Sequence, residues 1–258
     1  AIEPATGEIL CLVSSPGYDP NLLVGRVRSE NYKILSSDSL KPLFNRALMA
    51  QYPPGSTLKP LVGLIALNEK VSTPNTMYTC SGPETRPIRC SHSHVSPINM
   101  TGAIEQSCNP YFWQTFRSVI DKPEYANPEE GFESWREYAL SFGFGNRFGT
   151  DLFNELTGNI PSSAYYDKYF GSGGWRAMTI RSLAIGQGEI LVTPLQLANY
   201  TATIANRGKY IKPHIIKEIY NEELPEFTKI KDSTKVDSSY FEPVIEGMYN
   251  VYFGEHGT

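Results

Sequence analysis

No apolar run in these 258 residues approaches the length of a membrane span, and no basic stripe runs along the chain. The first absence excludes a bilayer-crossing helix within this stretch. The second, with a formal net charge of −4 and a pI near 5.7, argues against nucleic acid as the main partner. No internal repeat or low-complexity tract is present, which sets aside a solenoid and a disordered linker. No methionine and no signal peptide open the sequence, which goes straight from Ala1 into strand-like residues. A piece of a longer protein is therefore expected, with any membrane anchor outside it. What is present is 40% hydrophobic and 12% aromatic residues, enough for a large core in one domain or in two lobes sharing a cleft.

Along the chain, residues 2 to 13 read as a hairpin in which Ile9 to Val13 form a buried strand, and residues 16 to 50 as loop with short helix. Thr73 to Asn99 is irregular. Two short helices follow, split at Cys108-Asn109-Pro110. Phe132, Trp135, Tyr138, Ala139 and Phe142 recur at helical spacing and stop at Gly143, which predicts an aromatic core helix with a C′ glycine. Thr193-Pro194 predicts an N-cap and first helical residue, with closure at Asn206-Arg207-Gly208. Lys212 to Tyr220 is strand-like, and Phe241, Val244, Ile245, Met248 and Tyr252 mark a last helix. Helices outweigh strands.

The stretch Tyr52-Pro53-Pro54-Gly55-Ser56-Thr57-Leu58-Lys59-Pro60 carries the chemistry. Two prolines and a glycine force a turn, which sets Ser56 at or near a helix N-cap and Pro60 in the tolerated first turn. Lys59, three residues on, shares its face. Leu58, Leu61, Val62, Leu64, Ile65 and Leu67 make the helix apolar on nearly every side, hence central and buried. A lysine at the start of such a helix is partly desolvated, and a lowered pKa lets its amine take a proton from a serine hydroxyl. The competing reading is an ordinary capped helix with a surface lysine.

Three of the four cysteines, Cys80, Cys90 and Cys108, fall in one segment with His92 and His94. Three thiolates and an imidazole suit a closed tetrahedral zinc site, although no C-x-x-C pair is present. A Cys80–Cys90 disulfide with Cys108 as a small buried residue is the alternative.

Ser107-Cys108-Asn109 adds a second polar triplet at the turn between two helices. Ser-x-x-Lys followed by Ser-x-Asn resembles the first two signatures of the penicillin-recognising serine enzymes. The flanks Pro4-Ala5-Thr6-Gly7-Glu8-Ile9-Leu10, Tyr18-Asp19-Pro20-Asn21, Tyr52-Pro53-Pro54-Gly55-Ser56, Gly186-Gln187-Gly188 and Thr193-Pro194-Leu195-Gln196 resemble class B penicillin-binding proteins, above all the elongation type. The resemblance covers the whole chain. It implies an α+β fold of the penicillin-binding transpeptidase kind, a helical lobe beside an antiparallel sheet covered by helices, with residues 1–258 as one transpeptidase domain.

It also implies a peptidoglycan D,D-transpeptidase, acylated by β-lactams and acting on stem peptides at the extracytoplasmic, periplasmic face of the bacterial inner membrane. A glycosyltransferase or other elongation-complex partner is implied too. Ser56 would be the nucleophile, Lys59 its base, Ser107 a proton relay to the leaving amine and Asn109 the group that orients Lys59. Some relatives carry zinc beside the site with one ligand from the middle of the second triplet, where Cys108 stands. With it the resemblance selects Cys80, Cys90 and His94, while Cys11 is left out because it lies on the expected first strand. The chemistry itself needs no cofactor, and Gln187 receives no catalytic role.

One departure is plain: the third signature, Lys-Ser-Gly or Lys-Thr-Gly, occurs nowhere in these residues. The domain is therefore expected to be partial at its C-terminal side and inactive as it stands. A non-catalytic penicillin-sensing or scaffold module and, with less support, a serine β-lactamase are the competing functions. No segment resembles a dedicated deacylation glutamate.

Overall fold

The apolar run around the Ser-x-x-Lys motif folds into a helix whose residues from Lys59 to Leu67 are all buried. The computed structural model describes residues 1–258. Nine α-helices occur in it: α1 (Arg28–Ser37), α2 (Arg46–Met49), α3 (Lys59–Asn68), α4 (Met100–Glu105), α5 (Asn109–Ile120), α6 (Pro128–Ser141), α7 (Ser163–Phe170), α8 (Pro194–Ala205) and α9 (Glu242–Phe253). Strands β1 (Lys209–Ile211) and β2 (Lys231–Ser233) form an antiparallel pair, Lys209 facing Ser233 and Ile211 facing Lys231.

Helix α3 is the axle, with α4, α5, α6 and α9 packed around it. Its Leu61, Val62, Leu64 and Ile65 are 0% exposed, and burying each contributes about 1.5–3 kcal/mol. Phe116, Phe132, Trp135 and Trp175 extend the same core through edge-to-face and stacked rings. The far end of α3 is tied down by the carboxylate of Glu69. It accepts from Tyr138 Oη at 2.6 Å, Lys122 Nζ at 2.9 Å and Tyr125 Oη at 3.0 Å.

The helix signals hold where they are local. Thr193 caps α8 through a reciprocal capping box with Gln196, Pro194 sits in the first turn, and α6 ends before Gly143 at φ +89°. The strand expectations need correction. Ile9 to Val13 form no extended strand, and Leu10 and Val13 are exposed. Their segment bridges only Ile2 and His214, and so few pairings bury neither face. Lys212 to Tyr220 is not a strand either. Pro213 has no N–H for a ladder, and the Asp151 carboxylate takes the N–H groups of Ile215 and Ile216 instead.

Candidate active site

Ser56 does not cap the buried helix as the motif suggests. It lies inside a 3₁₀ turn, Gly55–Leu58, and the α-helix begins only at Lys59. Gly55 has φ +62°, a left-handed conformation that lets the chain reverse after Pro53-Pro54. The turn leaves the Ser56 side chain exposed, while Lys59, at the head of α3, is 2% exposed.

The Lys59 ammonium has three protons and three acceptors. Its Nζ donates to the Ser107 backbone oxygen at 2.6 Å, to Ser107 Oγ at 2.9 Å and to Asn109 Oδ1 at 2.6 Å. Two of these come from one residue because Ser107 is left-handed, φ +49°, a conformation that costs a serine about 1–3 kcal/mol. Cys108 returns to extended backbone as the N-cap of α5, so Asn109 re-enters the helix facing the same lysine. Asn109 Nδ2 donates to Arg89 O at 3.0 Å, which turns its amide oxygen toward Lys59. Burial pushes the lysine pKa down from 10.5 to about 8, against the charge of the Cys90–Cys108 pair, which raises it. The arrangement is a buried amine of lowered pKa bonded to the Ser107 hydroxyl, with a second hydroxyl, that of Ser56, exposed one turn before it.

Ser56, Lys59 and Ser107 open onto a cleft of about 400 Å³ whose other wall is apolar, with Ile104, Tyr200 and Met248. A peptide end with small apolar side chains and a carbonyl near Ser56 suits such a lining.

Sequence reasoning missed what holds the Ser56 turn in place. The Gly55 N–H donates to the Gly186 carbonyl at 2.8 Å, and Tyr52 and Val192 exchange backbone hydrogen bonds at 3.0 and 2.9 Å. The Gly186-Gln187-Gly188 segment thus braces the motif through Gly186 alone. Its two glycines were the available signal.

Behind Ser107, the ligand atoms of Cys80, Cys90, His94 and Cys108 all lie within 4.8 Å of one another. The cysteines are free thiols, so the alternative Cys80–Cys90 disulfide is not formed, and Cys11 is exposed elsewhere. His94 Nδ1 sits 2.9 Å from the acceptor-only Val95 carbonyl and so carries the proton, leaving Nε2 as a lone pair. That Nε2 is buried without a partner. The Cys90 thiol is lowered to about 4, chiefly because the Cys108 S–H donates to it, while burial opposes. The same bond and burial push Cys108 up, so the pair shares one proton. His92 stands beside His94, rings 5.6 Å apart, but outside the cluster. Three sulfurs, an orphaned imidazole nitrogen and a hydrogen bond at the other ring nitrogen that fixes the tautomer fit a Cys₃His zinc centre.

Residues 1–258 match the penicillin binding protein transpeptidase domain family over their full length. The peptidoglycan D,D-transpeptidase MrdA of Haemophilus influenzae is 32% identical over 266 residues, covering 100% of this chain and 39% of that protein. PBP2 of Pseudomonas aeruginosa, solved in complex with WCK 5153, superposes with a TM-score of 0.81 at 31% identity, covering 99% of this chain and 57% of that one. The complex between PBP2 and MreC from Helicobacter pylori gives 0.76 at 30% identity, covering 99% of this chain and 45% of that one. The chain thus spans about two fifths of the length of the curated relative it matches, 39%.

Proposed function

This chain belongs to the penicillin-binding protein transpeptidase family, and we infer that it carries the acyl-transfer centre of a peptidoglycan D,D-transpeptidase. The observation that carries the reading is Lys59, a buried amine near pKa 8 bonded to Ser107 and Asn109 one turn below an exposed serine. Ser56 Oγ attacks the carbonyl between two D-alanines of a stem peptide, Lys59 accepts its proton, and the C–N bond breaks to release the terminal D-alanine. Ser107, hydrogen-bonded to Lys59, passes a proton to the departing amine. An amine from a second strand then attacks the ester and frees Ser56. Asn109 holds the lysine in line, and the Ser56 backbone N–H, at the start of a helical turn, supports the oxyanion.

The reading extends to β-lactams as acylating agents and to residues 1–258 as one transpeptidase domain. It also extends to work at the outer face of the bacterial inner membrane. No helix here is long and apolar enough to cross a membrane, so a membrane anchor would be another part of the protein. The relative solved with MreC supports a partner of the elongation machinery. The experiment is to supply stem-peptide substrate and an acceptor amine to the whole protein. Crosslinked product supports a transpeptidase; a lasting penicillin adduct with no crosslinking would favour a sensor, and rapid penicillin hydrolysis a lactamase.

These 258 residues hold no Lys-Ser-Gly or Lys-Thr-Gly triplet, and their sheet has two short strands. A second oxyanion donor on a further strand is therefore expected to raise the rate. Loss of one such donor costs about 10²–10³. Labelled penicillin should acylate the isolated 258 residues slower than the whole protein by that factor. Equal rates would remove that further strand from the mechanism.

Zinc at Cys80, Cys90, His94 and Cys108 belongs to the same reading. Bound there it supplies a cross-link, not bond-making chemistry, tying the irregular segment to the Ser107 turn. Elemental analysis is expected to give one zinc per chain. Cys90→Ser combined with His94→Ala should lose it and lower the melting temperature by roughly 5–10 °C, at about 2–4 °C per kcal/mol for a domain of this size. A metal-free protein with a Cys80–Cys90 bond would sink this assignment.

A further inference from the structure

Among contacts around the cleft, the approach of Gly186 to the nucleophile turn is the tightest backbone constraint that the mechanism leaves unused. Gly186 closes a 3₁₀ turn, Arg181–Ile185, with φ +67° and ψ +30°. A Cβ on it would stand 2.1 Å from Gly55 O, 2.8 Å from Gly55 N and 2.9 Å from Gly55 C. All three atoms are backbone, so no rotamer can relieve the overlap. Reaching even 3.0 Å requires the two segments to separate by about 1 Å.

Which side yields is decided by what holds each. The Gly186 side is anchored: Asn159 and Leu191 exchange backbone hydrogen bonds, Asn159 Nδ2 donates to Glu189 O at 2.6 Å, and Tyr166 Oη donates to Glu189 Oε2 at 3.0 Å. Ile190 and Val192 are buried behind it. Beyond the Tyr52–Val192 pair, the Gly55 side faces open space, with nothing within 4 Å of an added Cβ there. A push at position 186 is therefore absorbed by the turn that carries Ser56.

We propose that Gly186 is a positioning residue for acylation, fixing the Ser56 turn by its carbonyl bond to the Gly55 N–H and by a backbone approach that only glycine permits. The proposal rests on Ser56 being the acylated serine. Gly188 is its internal control. It too is left-handed, φ +81°, but its added Cβ would meet Ser182 Oγ at 2.7 Å, the movable end of a side chain away from the nucleophile turn. Both alanine variants carry the same kind of conformational strain, and only one moves the nucleophile.

The test uses the whole protein and labelled penicillin in stopped flow, separating the dissociation constant from the acylation rate constant, beside melting curves. Gly186→Ala is expected to lower the acylation rate constant about 10–100-fold, the scale of a 1 Å misplacement, with the dissociation constant within about threefold. Gly188→Ala is expected to lower the melting temperature comparably and keep the acylation rate constant within about threefold. Equal acylation by the two variants overturns the proposal. If Gly186→Ala does not fold, hydrogen exchange in the unmodified protein decides: a protected Gly55 amide supports the brace, and a freely exchanging one overturns it. Failure of the unmodified protein to form any adduct would instead sink the functional reading, and this proposal with it.

Discussion

Ser56→Ala in the whole protein is expected to abolish the covalent β-lactam adduct, a loss of at least about 10³ in acylation and beyond detection by intact-mass spectrometry. In the proposed mechanism the hydroxyl forms the ester, so no neighbour can substitute for it without a new geometry. Ser107 is the nearest rival. Its Oγ is already held by Lys59 at 2.9 Å, and its backbone is locked in the left-handed region, so its oxygen is committed to the amine. Ser56 is exposed and its hydroxyl takes no part in that network, so the substitution removes little folding energy, within about 0.5 kcal/mol. An unchanged melting temperature with no adduct is thus the expected pair of results. The same adduct on the alanine variant would move the nucleophile elsewhere.

The parts of this site legible in the sequence are those set by neighbours a few residues apart. Ser56 and Lys59 are one helical turn apart, Leu61 to Leu67 declare burial by being apolar all round, and Thr193-Pro194-Leu195-Gln196 contains its own capping box. Ser107 and Asn109 could be paired with Lys59 only through the family resemblance, because nothing in their composition says that a serine will adopt φ +49°. The cysteine cluster was legible as chemistry but not as geometry. Which histidine joins it depends on a carbonyl, that of Val95, which fixes the ring of His94.

What was not legible is non-local backbone. The brace of Gly186 on Gly55 and the Tyr52–Val192 bridge join segments far apart in the chain and involve no distinctive side chain. The same holds for the strands. Ile9 to Val13 has β propensity, but propensity expresses itself only where partners supply hydrogen bonds and a covering face. Lys209–Ile211 and Lys231–Ser233 do find such partners in each other, and the Thr234 N–H extends their ladder by donating to the Gly208 carbonyl at 2.8 Å. The 3₁₀ start at Gly55–Leu58 is a subtler case. Glycine at φ +62° and Pro60 in the second α position tighten the first turn, which moves Ser56 off the cap and into the open.

Lys59 is where burial, charge and chemistry meet, and its removal is the second large effect expected. Lys59→Ala leaves Ser107 O, Ser107 Oγ and Asn109 Oδ1 without their common donor and leaves Ser56 without a base, so acylation should fall by about 10²–10⁴. Lys59→Arg should not restore it, because a guanidinium stays charged at any working pH. The pH profile tests the role directly. With the pKa lowered from 10.5 to about 8, the neutral amine is the minor form below pH 8 and the major form above it. The acylation rate constant should therefore rise about tenfold per unit up to pH 7, bend near pH 8 and level above it. At pH 7 about one lysine in ten is free base, against roughly one in 3,000 for an unburied side chain, so burial alone is worth a few hundredfold in available base. A flat profile between pH 6 and 9, or a Lys59→Ala variant acylating at the unmodified rate, would take the base role from Lys59 and leave it as a structural cation.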